Sequence, residues 1–289
     1  MGKDWYESEP LARELFTSAD RLLGFSLSGL CFNGPEEELK QTRNTQPAIF
    51  VHSVIVATLL KHSEVRMAAG HSLGEYSALV AAGAIAFEDA LALVRLRGEL
   101  MQRAGEERKG TMAAVVGLTN EDVEALCREA CSEGIVQPAN FNSPGQIVIS
   151  GTVMGVRRAM VLAKQRGAKL VKELVVSGAF HSPLMESAGE GLQKVLRETV
   201  IRDPDLPVYA NVTAEPATSA AEIRDLLHRQ LTRPVRWEQT IRNMVRDGVT
   251  HFCELGPGRV LQGLVKRTAP SASVSGVDKF LESREFVGA

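Results

Sequence analysis

Residues 65–82 read Val-Arg-Met-Ala-Ala-Gly-His-Ser-Leu-Gly-Glu-Tyr-Ser-Ala-Leu-Val-Ala-Ala, and this stretch decides the fold. Residues 65–69 are mostly apolar and bounded by glycine, which predicts a short buried strand. Residues 73–82 are rich in alanine and leucine and predict a helix. Between the two lies the tight turn Gly70-His71-Ser72-Leu73-Gly74. The order strand, sharp turn, helix is typical of an α/β fold.

Ser72 lies at the centre of this Gly-x-Ser-x-Gly turn, a pattern that lifts a serine hydroxyl above the edge of a sheet. We expect the backbone to be so tight that only glycine fits at Gly70 and Gly74. The amide of Leu73 would then face the position of an oxyanion, at a helix N-terminus whose dipole favours negative charge. Ser72 is therefore a candidate acyl-accepting nucleophile. The alternative is a purely structural glycine-rich turn.

The composition describes a globular chain and excludes some classes of function. The 289 residues are 44% hydrophobic and 24% charged, with a formal net charge of -2, so there is no electrostatic case for nucleic acid. No apolar run reaches the roughly 20 residues that cross a bilayer, and Met1-Gly2-Lys3-Asp4 begins no signal peptide. We expect a cytoplasmic protein that does not enter a membrane. The four cysteines form no CxxC pair and predict reduced, structural thiols with no metal site: Cys31, Cys127, Cys131 and Cys253.

A compact subdomain is predicted at residues 109–176, because the pattern there changes to βαββαβ, the ferredoxin-like order. Its predicted strands are 111–118, 135–140, 146–150 and 169–176, and its helices run from 119 to about 134 and over 153–166. In the rest of the chain, residues 1–108 predict helices around one buried strand. One helix has apolar residues at helical spacing, Leu11, Leu15, Ala19 and Leu22, and another, at 46–60, is almost wholly apolar. Residues 177–289 alternate helices with short strands, predicted at 208–211 and 250–255. We predict an α/β-hydrolase-like large domain with a mainly parallel sheet, into which the small subdomain is inserted.

A serine hydroxyl needs a base to remove its proton, and His181 is the best candidate among six histidines. It comes directly before Ser182-Pro183, an N-cap followed by a first-turn proline, so it lies on a loop at a helix start. The alternative is a histidine that only packs near a helix end. The other histidines fit structural or solvated positions, with His71 pointing away from the serine: His52, His62, His71, His228 and His251.

Arg97 is the third residue that could take part in chemistry. Residues 87–104 predict a helix that is strongly apolar on one face. A guanidinium beside a nucleophile would be a bidentate clamp for a substrate carboxylate. The alternative is an ordinary solvated arginine on a helix surface.

Five motifs in the chain, taken in order, resemble the malonyl-CoA:acyl carrier protein transacylases, a family that includes the acyltransferase domains of polyketide synthases. The resemblance runs from Met1 to about Lys279, and its order is collinear throughout. The motifs are Gly70-His71-Ser72-Leu73-Gly74-Glu75, Arg97-Gly98 followed by Met101-Gln102, Asn140-Phe141-Asn142-Ser143-Pro144-Gly145-Gln146, Gly178-Ala179-Phe180-His181-Ser182 and Gly256-Pro257-Gly258.

This resemblance implies an acyltransferase that moves a malonyl group from malonyl-CoA to the phosphopantetheine thiol of acyl carrier protein, in fatty acid or polyketide synthesis. Ser72 would carry the malonyl group, His181 would act as base and then acid, and Arg97 would hold the malonyl carboxylate. The main-chain carbonyl of Gln230 would orient His181 in place of an aspartate. Asn140, Asn142 and Phe180 would line the substrate site, and Phe180 matches malonyl-selective members better than methylmalonyl-selective ones. The reaction needs no metal or redox cofactor, and we expect a monomer.

The sequence departs from the family pattern at its start. Family members open with a buried strand and a Gly-Gln-Gly-Ser-Gln loop that supplies a second oxyanion amide, whereas Met1-Gly2-Lys3-Asp4 resembles the segment that follows this loop. A start codon assigned too late, or a catalytically impaired paralogue that only binds carrier protein, would each explain this. A serine thioesterase or esterase of α/β-hydrolase type is a further alternative. A basic cluster could meet an acidic carrier helix or could be a solvated face: Lys164, Arg166, Lys169 and Lys172.

Overall fold

A computed structural model of the protein describes residues 1–60 and 65–286, so His62 lies outside the described residues. The helices are α1 (Lys3–Ser8), α2 (Pro10–Leu23), α3 (Leu27–Asn33), α4 (Glu36–Leu39), α5 (Thr42–Leu59), α6 (Gly74–Ala81), α7 (Phe87–Glu107), α8 (Asn120–Ala130), α9 (Val153–Gln165), α10 (Glu186–Glu198), α11 (Ala220–Gln230), α12 (Trp237–Arg246), α13 (Val260–Thr268) and α14 (Phe280–Phe286). The strands are β1 (Ala68–Ala69), β2 (Gly110–Val116), β3 (Val136–Ser143), β4 (Gln146–Thr152), β5 (Leu170–Glu173), β6 (Val208–Tyr209), β7 (Pro216–Ala217), β8 (His251–Leu255) and β9 (Ser273–Val277).

Short strand pairs, most of them parallel, form the sheet structure of the large part of the chain. β1 pairs in parallel with β6, β6 pairs antiparallel with β7, and β8 pairs in parallel with β9. The predicted α/β class with mainly parallel pairing is confirmed, but the strand predicted at 65–69 is reduced to Ala68–Ala69. The helix predicted at 73–82 is observed as α6 directly after the turn. This places the turn that carries Ser72 at the carboxyl end of β1.

The core of the large part is helical, and α5 and α7 bring two polar side chains to its centre. The helix predicted at 46–60 is observed as α5, which is buried on most of its surface and packs against α6 and α7. Gly98 allows a close approach of α7, because a β-carbon there would lie 2.9 Å from Arg43 Cα. At this crossing Gln46 of α5 and Arg97 of α7 are both buried.

The small subdomain has the predicted βαββαβ order. Its sheet runs β3-β4-β2-β5 with all neighbours antiparallel, and α8 and α9 pack against it around their own apolar core. Thr119 and Thr152 cap the two helices by accepting hydrogen bonds from backbone amides in the first turn. The last strand stops at Glu173, earlier than the predicted 176.

Backbone hydrogen bonds join the edge of the small sheet to Val235 of the large part. Phe141 N donates to Val235 O at 2.9 Å, and Val235 N donates to Ala139 O at 2.8 Å. This bridge fixes the edge of β3 beside the turn that carries Ser72. Within residues 1–60 and 65–286, no helix combines the length and apolar character needed to cross a membrane. All four cysteines are free thiols.

Candidate active site

The turn that carries Ser72 has an uncommon backbone. Ser72 adopts a left-handed φ of 51°, a conformation that non-glycine residues rarely take. Gly70 is required at this turn, because a β-carbon there would lie 1.9 Å from Gly74 C. At Gly74 a β-carbon would meet nothing within 4 Å. The expectation that both flanking positions need glycine is therefore right for Gly70 and wrong for Gly74. A side chain at Gly70 would collide with the backbone of Gly74, whereas a side chain at Gly74 would meet open space.

Asn211 holds this turn from the neighbouring strand. Its Oδ1 accepts a hydrogen bond from Ser72 N at 2.6 Å, and its Nδ2 donates to Gly70 O at 2.7 Å. Asn211 is fully buried and follows β6, which runs parallel to β1. Asn211 was not among the site residues predicted from the sequence. The available signal was its position at the carboxyl end of a predicted strand, where polar residues of parallel strands meet.

The amide of Leu73 is placed for an oxyanion. Leu73 stands at the N-cap of α6, and no described residue accepts a hydrogen bond from its N–H. The first amides of a helix lack partners within the helix and carry partial positive charge. A negative oxygen next to Ser72 Oγ could therefore accept a hydrogen bond from this N–H.

His181 contacts the serine hydroxyl directly. Its Nε2 lies 2.9 Å from Ser72 Oγ, and its Nδ1 lies 2.8 Å from Gln230 O. A carbonyl oxygen can only accept, so Nδ1 carries the proton and Nε2 is free to accept the serine proton. Burial, and next the positive charge of Arg97, lower the pKa of His181 to about 3. The imidazole is therefore neutral at pH 7, which is the form that a general base requires.

The backbone at His181 is also left-handed, with a φ of 56°. Gln137 of the small subdomain supports it, because its Nε2 donates to His181 O at 2.9 Å and to Thr232 O at 3.1 Å. Ser182 caps the turn that follows and accepts from Leu184 N at 3.3 Å. The small subdomain thus holds the loop that carries the histidine.

Arg97 is buried beside the same hydroxyl and is not a solvated helix residue. It is 1% exposed. Its Nη2 donates to Ser72 Oγ and to Gln230 Oε1, each at 3.0 Å, and its Nη1 donates to Gln46 Oε1 at 2.6 Å. None of these partners carries a charge, and Nε has no partner among the described residues. A buried guanidinium with neutral partners is well suited to bind a carboxylate from a substrate.

Glu75 is a second residue of the site that was not among the predicted site residues. It is 3% exposed, and its Oε2 accepts from Gln230 Nε2 at 2.7 Å and from Asn211 N at 3.0 Å. Burial raises the pKa of the Glu75 carboxyl to about 7. Its hydrogen bonds and the nearby guanidinium of Arg97 act in the opposite direction, but their effect is smaller. Two signals in the sequence pointed to Glu75: its place in the first turn after the serine, and its inclusion in the motif Gly70-His71-Ser72-Leu73-Gly74-Glu75.

None of the three predicted substrate residues forms a hydrogen bond to Ser72, and one of them contacts the turn. Asn142 Oδ1 lies 2.9 Å from His71 Nε2, so Asn142 joins the small subdomain to the turn. Asn140 is buried, and its backbone forms a parallel bridge with Val235. Phe180 is partly buried and packs against the cores of both parts of the chain.

The remaining described histidines have partners away from Ser72. His52 is buried with Nε2 3.0 Å from Asp278 O, His228 lies 3.5 Å from Gln193 Nε2, and His251 contacts serines 273 and 275. The structure therefore brings one histidine to the nucleophile. Serine, neutral imidazole, a free amide and a buried guanidinium together form an arrangement that can transfer an acyl group bearing a carboxylate.

Comparisons with known proteins agree with this chemistry. The family model described as "Acyl transferase domain" matches residues 1–282. The malonyl CoA-acyl carrier protein transacylase of Bacillus subtilis (strain 168) is 49% identical over 270 residues, covering 92% of this chain and 85% of that protein. The protein of the same name from Escherichia coli (strain K12) is 42% identical over 282 residues, covering 96% and 91%.

Solved structures give the same result. The crystal structure of an acyl carrier protein S-malonyltransferase from Vibrio cholerae superposes with a TM-score of 0.96 at 41% identity, covering 99% of this chain and 94% of that one. A malonyl-transacylase in complex with its type II PKS acyl-carrier protein gives a TM-score of 0.94 at 42% identity, covering 97% and 92%.

Proposed function

The chain belongs to the acyl transferase domain family, and from that premise we propose that it is a malonyl-CoA:acyl carrier protein S-malonyltransferase. One observation carries the proposal. Ser72 Oγ lies 2.9 Å from His181 Nε2 and 3.0 Å from Arg97 Nη2, so the nucleophile is shared by a base and a carboxylate-binding group. The relatives named for malonyl transfer to carrier protein support the same function.

In the first half-reaction Ser72 Oγ attacks the thioester carbonyl carbon of malonyl-CoA while its proton passes to His181 Nε2. The carbonyl electron pair moves onto oxygen, and this oxyanion accepts a hydrogen bond from Leu73 N–H. The intermediate collapses, the carbon–sulfur bond breaks, and His181 Nε2–H protonates the leaving thiolate of coenzyme A. The carbonyl oxygen of Gln230 keeps Nδ1 protonated throughout, so the imidazole holds the correct tautomer.

In the second half-reaction the thiol of phosphopantetheine on acyl carrier protein is the acceptor of the malonyl group. His181 Nε2 removes the thiol proton, the sulfur attacks the malonyl ester carbon, and Ser72 Oγ leaves with the proton that His181 returns. The kinetics are therefore ping-pong. No metal or redox cofactor enters either step as we propose it.

Arg97 selects the acyl group in this proposal. Its guanidinium would bind the free carboxylate of the malonyl group, while the thioester carbonyl lies at Ser72 Oγ. A charge-assisted pair in a buried site is stronger than one in water. An acetyl group would leave the buried guanidinium with neutral partners only.

Acyl carrier protein is the proposed partner, supported by the structural relative described in complex with its carrier protein. In the basic cluster, Arg166 Nη2 lies 2.6 Å from Glu129 Oε2, so one of the four charges is already paired within the subdomain. This favours a solvated face over a docking face at that helix. The choice between fatty acid and polyketide synthesis, the cytoplasmic location and the monomeric state stay predictions.

Covalent labelling tests the nucleophile. Incubation with malonyl-CoA that is radiolabelled in the malonyl group should label the protein, and the label should map by mass spectrometry to the peptide that contains Ser72. Ser72→Ala should abolish the label. Ser77→Ala is the matched control, since Ser77 is buried on α6, the helix that follows the turn, and its hydroxyl has no described partner. Equal labelling of wild type and Ser72→Ala would refute the assignment.

A pair of arginine variants tests the acyl selectivity. Arg97→Ala should lower the ratio of malonyl to acetyl transfer by about 10- to 100-fold, because charged hydrogen bonds are lost. Arg95→Ala should keep the ratio, because Arg95 contacts Arg43 O and Glu99 instead of Ser72. Analysis of the products separates a transferase, which makes malonyl-carrier protein, from a thioesterase, which releases malonate.

A further inference from the structure

Glu75 is a buried carboxylate that takes no part in the steps above. It lies in the first turn of α6 and is 3% exposed. Both of its hydrogen bonds end on the same oxygen: Oε2 accepts from Gln230 Nε2 at 2.7 Å and from Asn211 N at 3.0 Å. Burial of a carboxylate carries a large cost in solvation, so its place behind the nucleophile calls for a role.

The first residue that Glu75 holds, Gln230, forms a hydrogen bond with each of the residues that carry the nucleophile, the guanidinium and the imidazole. Its Nε2 donates to Ser72 O at 3.0 Å, and its Oε1 accepts from Arg97 Nη2 at 3.0 Å. Its main-chain oxygen accepts from His181 Nδ1 at 2.8 Å. A shift of this one residue would therefore move the serine, the guanidinium and the imidazole relative to one another.

The second residue that Glu75 holds, Asn211, fixes the backbone of the turn. Its side chain accepts from Ser72 N at 2.6 Å and donates to Gly70 O at 2.7 Å. Asn211 N has Glu75 Oε2 as its acceptor. The left-handed backbone at Ser72 is held from both sides, by Asn211 at its amide and by Gln230 at its carbonyl.

We propose that Glu75 is a positioning residue of the transfer reaction, which acts by hydrogen-bonding Gln230 and Asn211 and thereby sets the placement of Ser72, His181 and Arg97. This inference rests on the proposed function for its substrate test. Glu75 itself touches neither acyl group nor thiol. Because both bonds end on one oxygen, a glutamine whose amide oxygen occupies that place keeps both, whereas alanine keeps neither.

Single-turnover acylation by malonyl-CoA and by acetyl-CoA, measured separately, tests the proposal. Glu75→Ala should slow malonyl transfer by about 10²-fold, the loss expected for a displacement near 1 Å. Acetyl transfer does not use the guanidinium, so the ratio of malonyl to acetyl rates should fall by about 5-fold or more. Glu75→Gln should restore both rates and the ratio to within about threefold of wild type.

The rate ratio separates positioning from a general loss of folded protein. Loss of folded protein lowers both rates together and leaves their ratio unchanged. Leu79→Ala is the matched control, because Leu79 is buried on the same helix within the apolar core. It should lower stability and keep the wild-type ratio. An unchanged ratio in Glu75→Ala, or a Glu75→Gln variant as impaired as Glu75→Ala, would overturn the proposal.

A fluorophosphonate that modifies reactive serines makes the test independent of malonyl transfer. It carries no carboxylate and no coenzyme A, so its reaction with Ser72 reports on the reactivity of the serine and not on recognition of the malonyl group or of coenzyme A. Glu75→Ala should react at least about tenfold more slowly than wild type. An equal rate would overturn the role of Glu75. Wild type that reacts with the fluorophosphonate but not with malonyl-CoA would instead refute the proposed function.

Discussion

Alanine at Gly70 should disable the protein, because of what a β-carbon would meet there. It would lie 1.9 Å from Gly74 C, 2.0 Å from Gly74 O and 2.5 Å from Glu75 N, all of them backbone atoms. Ordinary contact requires about 3.4 Å, so the turn and the start of α6 would have to separate by about 1.5 Å. No side-chain rotation can relieve this overlap.

The displacement gives the expected magnitude. A misplacement of about 1 Å in reacting groups costs on the order of 10² in rate, and overpacking costs about 1 to 3 kcal/mol in stability. Gly70→Ala should therefore lose at least about 100-fold in the rate of Ser72 acylation. Single-turnover labelling measures the rate, and thermal unfolding of the same preparation measures the stability.

Gly74→Ala is the matched control, with the opposite expectation for stability. A β-carbon at Gly74 meets nothing within 4 Å, and Gly74 is the first residue of α6. Alanine in a helix should stabilise by about 0.5 to 1 kcal/mol and raise the melting temperature by about 1 to 4 °C. Destabilisation of Gly74→Ala comparable to that of Gly70→Ala, or native acylation by Gly70→Ala, would refute this account of the turn.

Two further predictions concern the histidine and its support. The pKa of His181 is lowered from its ordinary value of 6.5 to about 3 in the folded protein. Between these two pH values the unfolded chain binds a proton at His181 that the folded protein does not, so the free energy of unfolding decreases as the pH falls. Between pH 7 and pH 5, His181→Gln should lose about 2 kcal/mol less of its free energy of unfolding than wild type, as measured by urea unfolding. An unchanged pH dependence would contradict burial of the neutral imidazole. Gln137→Ala should lower kcat about tenfold with little change in KM, because the His181 backbone loses its support. Steady-state kinetics measure this, and an unchanged kcat would show that the support is dispensable.

Ser72, His181 and the small subdomain could be predicted from the sequence because the signals for each of them are local. Ser72 follows from a strand, a glycine turn and a helix, and His181 follows from the cap signal Ser182-Pro183 after a loop. The small subdomain followed from its periodicity, since each of its strands and helices has its own apolar face. All of these signals lie within a few residues of the feature that they predict.

The interactions between distant residues could not be predicted in this way. Arg97 lies 51 positions from Gln46, and Glu75 lies 155 positions from Gln230. Nothing in a helical pattern tells whether a charged residue faces solvent or a neutral pocket in the core. Asn211 was passed over for the same reason, since its partners at the turn lie 139 and 141 positions away.

Two errors of detail have simpler physical causes. The apolar face predicted for α2 included Leu22, but Leu22 is 47% exposed and the buried face contains Phe16 instead. A periodic pattern predicts the helix, but it does not decide which of two neighbouring residues in each turn faces the core. The strand predicted at 65–69 is shorter because only Ala68 and Ala69 find a partner, on the two-residue strand β6.

The charge of Arg97 links recognition of the substrate to the basicity of His181. In the free protein, burial and then this positive charge lower the pKa of His181 to about 3, which makes it a weak base. A malonyl carboxylate on Arg97 would cancel that charge and raise the pKa of His181, while the lowering caused by burial would remain. The imidazole would then be a stronger base toward the Ser72 hydroxyl. Acetyl-CoA brings no such charge. Malonyl should therefore exceed acetyl in the acylation rate at saturating substrate as well as in affinity, and equal maximal rates would contradict this coupling.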